Sequence, residues 1–309
     1  MTLNHLVALL TAISLNANPT ENAIPTRLKP PPMADRRELP KPPVKKRVKS
    51  LGIETTAKSV IVVDVGSGAV LYAKNANVDR SIASLTKLMT AMVVLDQGLR
   101  GEERITIEAG DFEHEARPTL EAGDTMTRKE AFRALLVGSV NEIANAFART
   151  SPGGRAAFVD AMREKAATLG LAKASYLDPT GINLKNRASA TDVAIKIRSA
   201  LAYPEIRDLG GAGPYDLKVA NPASVGGART IKIKPTNNLV TSYLNAKPYQ
   251  IIAAKTGSLP EAGFSLAQVT KNPGGRQVIA VVLGSENHFA RFQEVKGLTQ
   301  WAFDTYEWQ

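Results

Sequence analysis

The 309-residue chain contains no cysteine. That excludes disulfide frameworks, thiolate-bound metal and a cysteine nucleophile. Histidine is nearly as scarce, with three copies at His5, His114 and His288. A multi-histidine metal centre is therefore not expected. A Ser-His-Asp triad would have to use His114 or His288, and neither stands in a recognisable motif. No apolar run is long enough to span a bilayer, since residues 6–15 (LVALLTAISL) reach only the length of a signal-peptide core. Chemistry is left to Ser, Lys, Asp and Glu.

Charge is unevenly placed. The first fifty residues hold nine Lys and Arg against three acidic residues, which is +6 of the chain's net +10. They share that stretch with eight prolines and no aromatic residue. Nucleic-acid binding would want a folded basic face with aromatics beside it, so no nucleic-acid partner is expected. Residues 1–17 read as a signal segment with Ala17 as a cleavage position, which implies export to the periplasm or the cell-wall side of the membrane. Residues 18–56 read as a Pro-rich basic disordered linker, because such a composition buries too little surface to offset its ordering entropy. Its functional alternative is electrostatic contact with anionic envelope surfaces such as lipid headgroups or wall polymers. Residues 57–309 are expected to form one catalytic domain.

The body of the chain opens with a hairpin pattern, Ser59–Val65 and Ala69–Ala73 about the turn Gly66-Ser67-Gly68. Residues 84–204 read as mostly helical. Leu85, Leu88, Met89 and Met92 share one face of a helix starting at Ser84, and Thr127-x-x-Glu130 is a capping box. Strand patterns return at Gln250–Ala254, Phe264–Val269 and Val278–Leu283, followed by a helix over 289–306. Strands at both ends with helices between them predict an α+β domain whose sheet joins the termini.

Three short motifs carry chemistry. Ser84-Leu85-Thr86-Lys87 is an S-x-x-K, in which positions i and i+3 of a helix bring an amine to a hydroxyl. A serine becomes a nucleophile only beside a base, and lysine serves as one when its pKa is lowered by burial or a second cation. The purely structural alternative is an N-cap serine and a surface lysine. Ser139-Val140-Asn141 is an S-x-N between two helical stretches, and Ser139-x-x-Glu142 equally fits a capping box. Lys255-Thr256-Gly257 closes a strand with a cation, a hydroxyl and a glycine, a dock for an anionic group on a closely approaching peptide. The order S-x-x-K, S-x-N, K-T-G with separations of 55 and 116 residues is hard to obtain by chance. S-x-x-K and K-T-G, with S-D-N between them, mark β-lactamases and penicillin-binding proteins.

The chain resembles the low-molecular-mass penicillin-binding proteins, which are serine D-alanyl-D-alanine carboxypeptidases and endopeptidases. Beyond the motifs, the resemblance extends to SVIVVDVGSGAVLYAKNANVDRSIASLTKLMTA, PGGRAAFVDAMREKAATLGL, YLDPTGINLKNRASATDVA and AAKTGSLPEAGFSLAQV. It implies a serine β-lactamase/D,D-peptidase-like fold, an antiparallel sheet flanked by helices with a helical subdomain inserted. It further implies that Ser84 is acylated with Lys87 as its base and that Ser139 joins the catalytic set. Asn141, Lys255, Thr256, Gly257 and Ser258 would bind substrate, with the N–H groups of Ser84 and Ser258 forming the oxyanion hole. Peptidoglycan stem peptides and β-lactam inhibitors are the implied partners, with no metal or cofactor.

Val140 departs from the family's usual small or polar residue and is expected to reshape the cleft floor. The chain ends just after its last helix, without the β-rich second domain of many carboxypeptidases, as in compact members that include endopeptidases. A serine β-lactamase is the enzymatic alternative, but no E-x-x-x-N loop appears between Gly170 and Thr191. A non-catalytic wall-binding module is the other, and would be marked by a lost nucleophile or base. Of the two motif lysines, Lys87 is expected to give up its proton, while Lys255 stays charged and holds a substrate carboxylate.

Overall fold

The computed structural model describes residues 26–28, 40–112, 118–224 and 226–309. The signal-like run, Ala17, His5, His114 and most of the proline-rich stretch lie outside the described residues. Five antiparallel strands form the central sheet, in the spatial order Gln250–Leu259, Gly263–Lys271, Gln277–Ser285, Ser59–Asp64 and Val70–Lys74. The opening hairpin and the last three strands thus meet in one sheet, as the pattern of the ends predicts. The helices among the described residues are α1 (Lys87–Asp96), α2 (Arg128–Val137), α3 (Asn141–Arg149), α4 (Gly154–Thr168), α5 (Ala190–Ala200), α6 (Pro204–Asp208) and α7 (Ala290–Thr305).

Helices cover both faces of the sheet, so the inner strands Gln277–Ser285 and Ser59–Asp64 are apolar except at their ends. Val60 and Val62 turn to one side with Val278, Ala280 and Val282, where Phe292, Val295 and Leu298 of α7 meet them. Ile61 and Val63 turn to the other side with Ile279 and Val281, onto the helical layer that includes Leu88 and Met89 of α1 and Ile197 of α5. Strand alternation decides which residue goes where. The capping box at the start of α2 forms as its spacing predicts, with Glu130 N donating to Thr127 Oγ1 at 3.2 Å and Thr127 N to Glu130 Oε2 at 3.1 Å.

Two expectations are corrected. The helical region also carries strands: Arg104–Thr106 and Thr125–Thr127 join Tyr215–Ala220 and Ala228–Ile233 in a separate four-stranded sheet. The linker boundary also moves. Val44–Lys45 pairs with Tyr306–Glu307, Trp301 Nε1 donates to Ser50 Oγ at 2.7 Å, and Leu28 is 2% exposed in the core. Thr56 N, Thr56 Oγ1 and Ala57 N all donate to Glu294 Oε1, a nearly buried carboxylate of α7. Composition argued for disorder because it counts apolar residues. What holds residues 44–57 in place is backbone pairing and hydrogen bonding to the end of the domain.

Removing residues 1–57 strips Glu294 of those three donors and should lower Tm by about 5–10 °C. Thermal unfolding followed by circular dichroism checks this, and an unchanged Tm would show that the segment merely lies on the surface.

Candidate active site

Ser84 does not cap a helix. It lies in a 3₁₀ turn, Ala83–Thr86, entered from Ile82, and α1 begins only at Lys87. Ala83 takes a left-handed φ of +45°, a strained choice for a residue with a Cβ and one that surrounding structure must enforce. Two glycines show how. A Cβ on Gly181 would stand 2.0 Å from Ala83 O, and one on Gly257 would stand 2.7 Å from Ile82 O. The turn bearing Ser84 is clamped between a loop and a strand that have no room for side chains there. The glycine of K-T-G therefore serves the approach of the turn bearing Ser84, in addition to any approach of substrate.

Lys87 is fully buried. Its Nζ lies 2.9 Å from Ser84 Oγ and 2.8 Å from Thr180 O, and it also bonds Asn141 Oδ1. A neutral amine has two N–H donors and one lone pair. Asn141 and Thr180 accept the two donors, which leaves the lone pair for the Ser84 hydroxyl. The loop that supplies Thr180 O is held by Asp178: one carboxylate oxygen accepts from Thr180 N, Thr180 Oγ1 and Gly181 N at 2.6–2.7 Å. Asn186 Nδ2 ties the same loop to Thr86 Oγ1 at 3.3 Å and to Asp178 O at 2.9 Å.

Ser139 also adopts a left-handed φ, +59°, but it caps nothing. Val140 is the N-cap of α3 with no side-chain bond, and Glu142 instead accepts from Thr119 N at 2.6 Å and Leu120 N at 3.1 Å. Freed from capping, Ser139 Oγ accepts from Lys255 Nζ at 2.7 Å. The Val140 side chain packs in the core, so it does not form the cleft floor.

Lys255-Thr256-Gly257 lies within a ten-residue strand rather than at its end. Lys255 is 1% exposed and gives a second hydrogen bond to Thr256 O at 3.0 Å. Burial, then the charges of Lys87 and Arg291, push its pKa well below that of an ordinary lysine. The expectation that Lys255 grips a substrate carboxylate directly is not met, because its side chain is buried. It sits under the cleft, not on its surface.

The cleft is a cavity of about 370 Å³ whose lining includes Ser84, Ser139, Thr236, Thr256, Ser258 and Arg291. Asn141 is half-buried, and its Oδ1 accepts from Lys87 Nζ. Thr236 and Thr256 share a hydroxyl–hydroxyl hydrogen bond of 2.7 Å. Arg291, at the start of α7, is 3% exposed and its pKa falls to about 10 through burial. Its Nη1 donates to Gly257 O at 3.3 Å, and its Nε has no partner. Arg291 forms no ion pair among the described residues, so a buried guanidinium faces the cleft ready for an anion. Neither Arg291 nor Thr236 stands in a motif; the sequence signal for both is absent. Among the described residues, no group of three or more His, Asp or Glu is placed to hold a metal ion.

A serine in contact with a buried lysine, beside a strand and a buried arginine that forms no ion pair among the described residues, is the arrangement expected of the penicillin-binding class of active-serine enzymes. Residues 44–287 match the D-alanyl-D-alanine carboxypeptidase family, and the chain belongs to that family. It is accordingly a serine-type D-Ala-D-Ala peptidase, a hydrolase of peptidoglycan metabolism. A D-alanyl-D-alanine endopeptidase of Pseudomonas aeruginosa is 32% identical over 254 residues, spanning 80% of this chain and 77% of that one. A D-alanyl-D-alanine carboxypeptidase of Bacillus subtilis is 30% identical over 268 residues, spanning 85% of this chain and 65% of its own length. The crystal structure of a Streptomyces DD-transpeptidase superposes with a TM-score of 0.75 at 30% identity, covering 82% of this chain and 100% of that one.

Gly257→Ala should displace the nucleophile turn and lower kcat/KM about 100-fold. Gly274→Ala is the control, because a Cβ there meets nothing closer than 3.5 Å. Steady-state hydrolysis of a D-Ala-D-Ala peptide compares the two, and equal rates would refute the clamp.

Proposed function

We propose that this chain cleaves D-Ala-D-Ala or D-Ala cross-link bonds of stem peptides through an acyl-enzyme on Ser84. The observation that carries the reading is the arrangement of Lys87 Nζ, with two acceptors for its N–H groups and Ser84 Oγ at 2.9 Å. Lys87 takes the Ser84 proton as Oγ attacks the penultimate D-Ala carbonyl. The N–H groups of Ser84 and Ser258 receive the oxyanion. The proton taken by Lys87 is passed on to the leaving nitrogen by way of the Ser139 hydroxyl, which already accepts from Lys255 and has its own O–H left to donate. Water then hydrolyses the ester. Arg291 and Thr256, rather than Lys255, bind the carboxylate of the departing D-Ala, and a β-lactam's carboxylate would use the same pair. A non-catalytic module is disfavoured by the intact contact between nucleophile and base.

Cross-link cleavage is the second reading, favoured by the endopeptidase of Pseudomonas aeruginosa, which this chain resembles over 77% of its length. Either substrate requires export, for which the apolar run at 6–15 speaks. The fixed basic ribbon of Lys45, Lys46, Arg47 and Lys49 supports contact with an anionic envelope surface. It sits at the far end of α7 from Arg291, roughly 20 Å away at 1.5 Å per residue.

Ser84→Ala should lose hydrolysis of D-Ala-D-Ala peptides while keeping the wild-type Tm; residual turnover by the folded variant would overturn the assignment. Product analysis on cross-linked muropeptides separates the two substrates. The acylation rate should rise with pH through an apparent pKa below ~10.4 that belongs to the Lys87–Lys255 pair. Replacing Lys255 by Ala removes one cation from that pair and should move the limb to higher pH. A stationary limb in stopped-flow acylation would show that the lysines do not interact.

A further inference from the structure

His288 is one of three histidines in the chain, precedes α7 by two residues and lines the cleft beside Arg291. Arg291 Nη2 lies 3.0 Å from His288 Nδ1. An arginine has only donors, so Nδ1 must accept, and the neutral ring carries its proton on Nε2. The ring is held in place by edge contacts to Phe264 of the neighbouring strand, Phe289 and Phe292, with centroids 5.2–6.0 Å apart. Phe264 and Phe292 also pack against the guanidinium, at 5.6 and 4.6 Å. Arg291 thus has two hydrogen-bond acceptors, Gly257 O and His288 Nδ1, and, among the described residues, no carboxylate to fix it.

We propose that His288 is a positioning residue that holds Arg291 toward the cleft only while the imidazole is neutral, making recognition of the substrate carboxylate pH-dependent. The inference rests on reading Arg291 as the carboxylate anchor. Protonation turns Nδ1 from acceptor to donor and sets an imidazolium against a guanidinium, so the hydrogen bond is lost. The charged group facing the ring is Arg291, from its own end of α7; the sheet presents Phe264, which is uncharged. Burial and the Arg291 charge both hold the imidazole below its usual 6.5. The neutral, holding form therefore prevails at pH 7 and is lost as pH falls below 6.5 through that lowered value.

The test compares a peptide ending in a free D-Ala-D-Ala carboxylate with its C-terminal amide, using the ratio of their KM values so that effects common to both substrates cancel. For the wild type, discrimination in favour of the carboxylate should weaken as pH falls below 6.5. His288→Asn keeps an acceptor near the Nδ1 position but cannot titrate, so discrimination should persist at low pH. His288→Ala removes the acceptor and should cut discrimination about tenfold at pH 7.5. A pH-dependent ratio in His288→Asn, or an unchanged ratio in His288→Ala, would overturn the proposal. Arg291→Ala separates the two levels: if it leaves the ratio intact, the anchor reading itself fails, and if it abolishes the ratio while the histidine variants behave as wild type, only the role of His288 fails.

Discussion

Two lysines buried in one site are the constraint on which the rest depends. Lys87 is 0% exposed and Lys255 1%. Burying an ammonium is costly unless it is hydrogen-bonded, and a second one nearby adds repulsion. The cheapest resolution is to release a proton, and an amine without its proton is what the reaction needs. The acceptors around the pair fit that state: Asn141 and Thr180 for Lys87, Ser139 and Thr256 O for Lys255. Arg291 extends the same logic to the cleft wall, where burial leaves a cation whose natural partner is the ligand's carboxylate.

The fold supplies the rigidity this requires. The nucleophile turn carries a left-handed Ala83, and such strain persists only where the surroundings leave no alternative. Gly181 and Gly257 bring a loop and a strand into backbone contact with it. Asp178, accepting four hydrogen bonds from its own loop, fixes the carbonyl that orients Lys87. The loop 177–186 thus links the Asp178 carboxylate to Lys87 through the Thr180 carbonyl.

Much of this was legible in the sequence because it is local. The β-branched apolar runs SVIVVD and VIAVVL, the Thr127–Glu130 box and the three motifs each need only a few neighbouring residues. Misreadings arose where tertiary partners decide. Ser139-x-x-Glu142 has the spacing of a cap, but Lys255 and the backbone of residues 119–120 recruit its two side chains. The paired strands Tyr215–Ala220 and Ala228–Ile233 do alternate, with Leu217 and Val219 inward, yet their sheet depends on partners a hundred residues upstream. Arg291, Thr236 and His288 reach the cleft from elements distant in sequence, and no short pattern marks them. The order of residues 40–56 was hidden because its hydrogen bonds run to α7 and the C-terminal strand.

The central claim is that Ser84, activated by Lys87, is the nucleophile. Incubation with a β-lactam, followed by proteolysis and mass mapping of the covalent adduct, tests it most directly. The account predicts one adduct, on the peptide that contains Ser84. An adduct on Ser139 or Ser258 with Ser84 unmodified would contradict it.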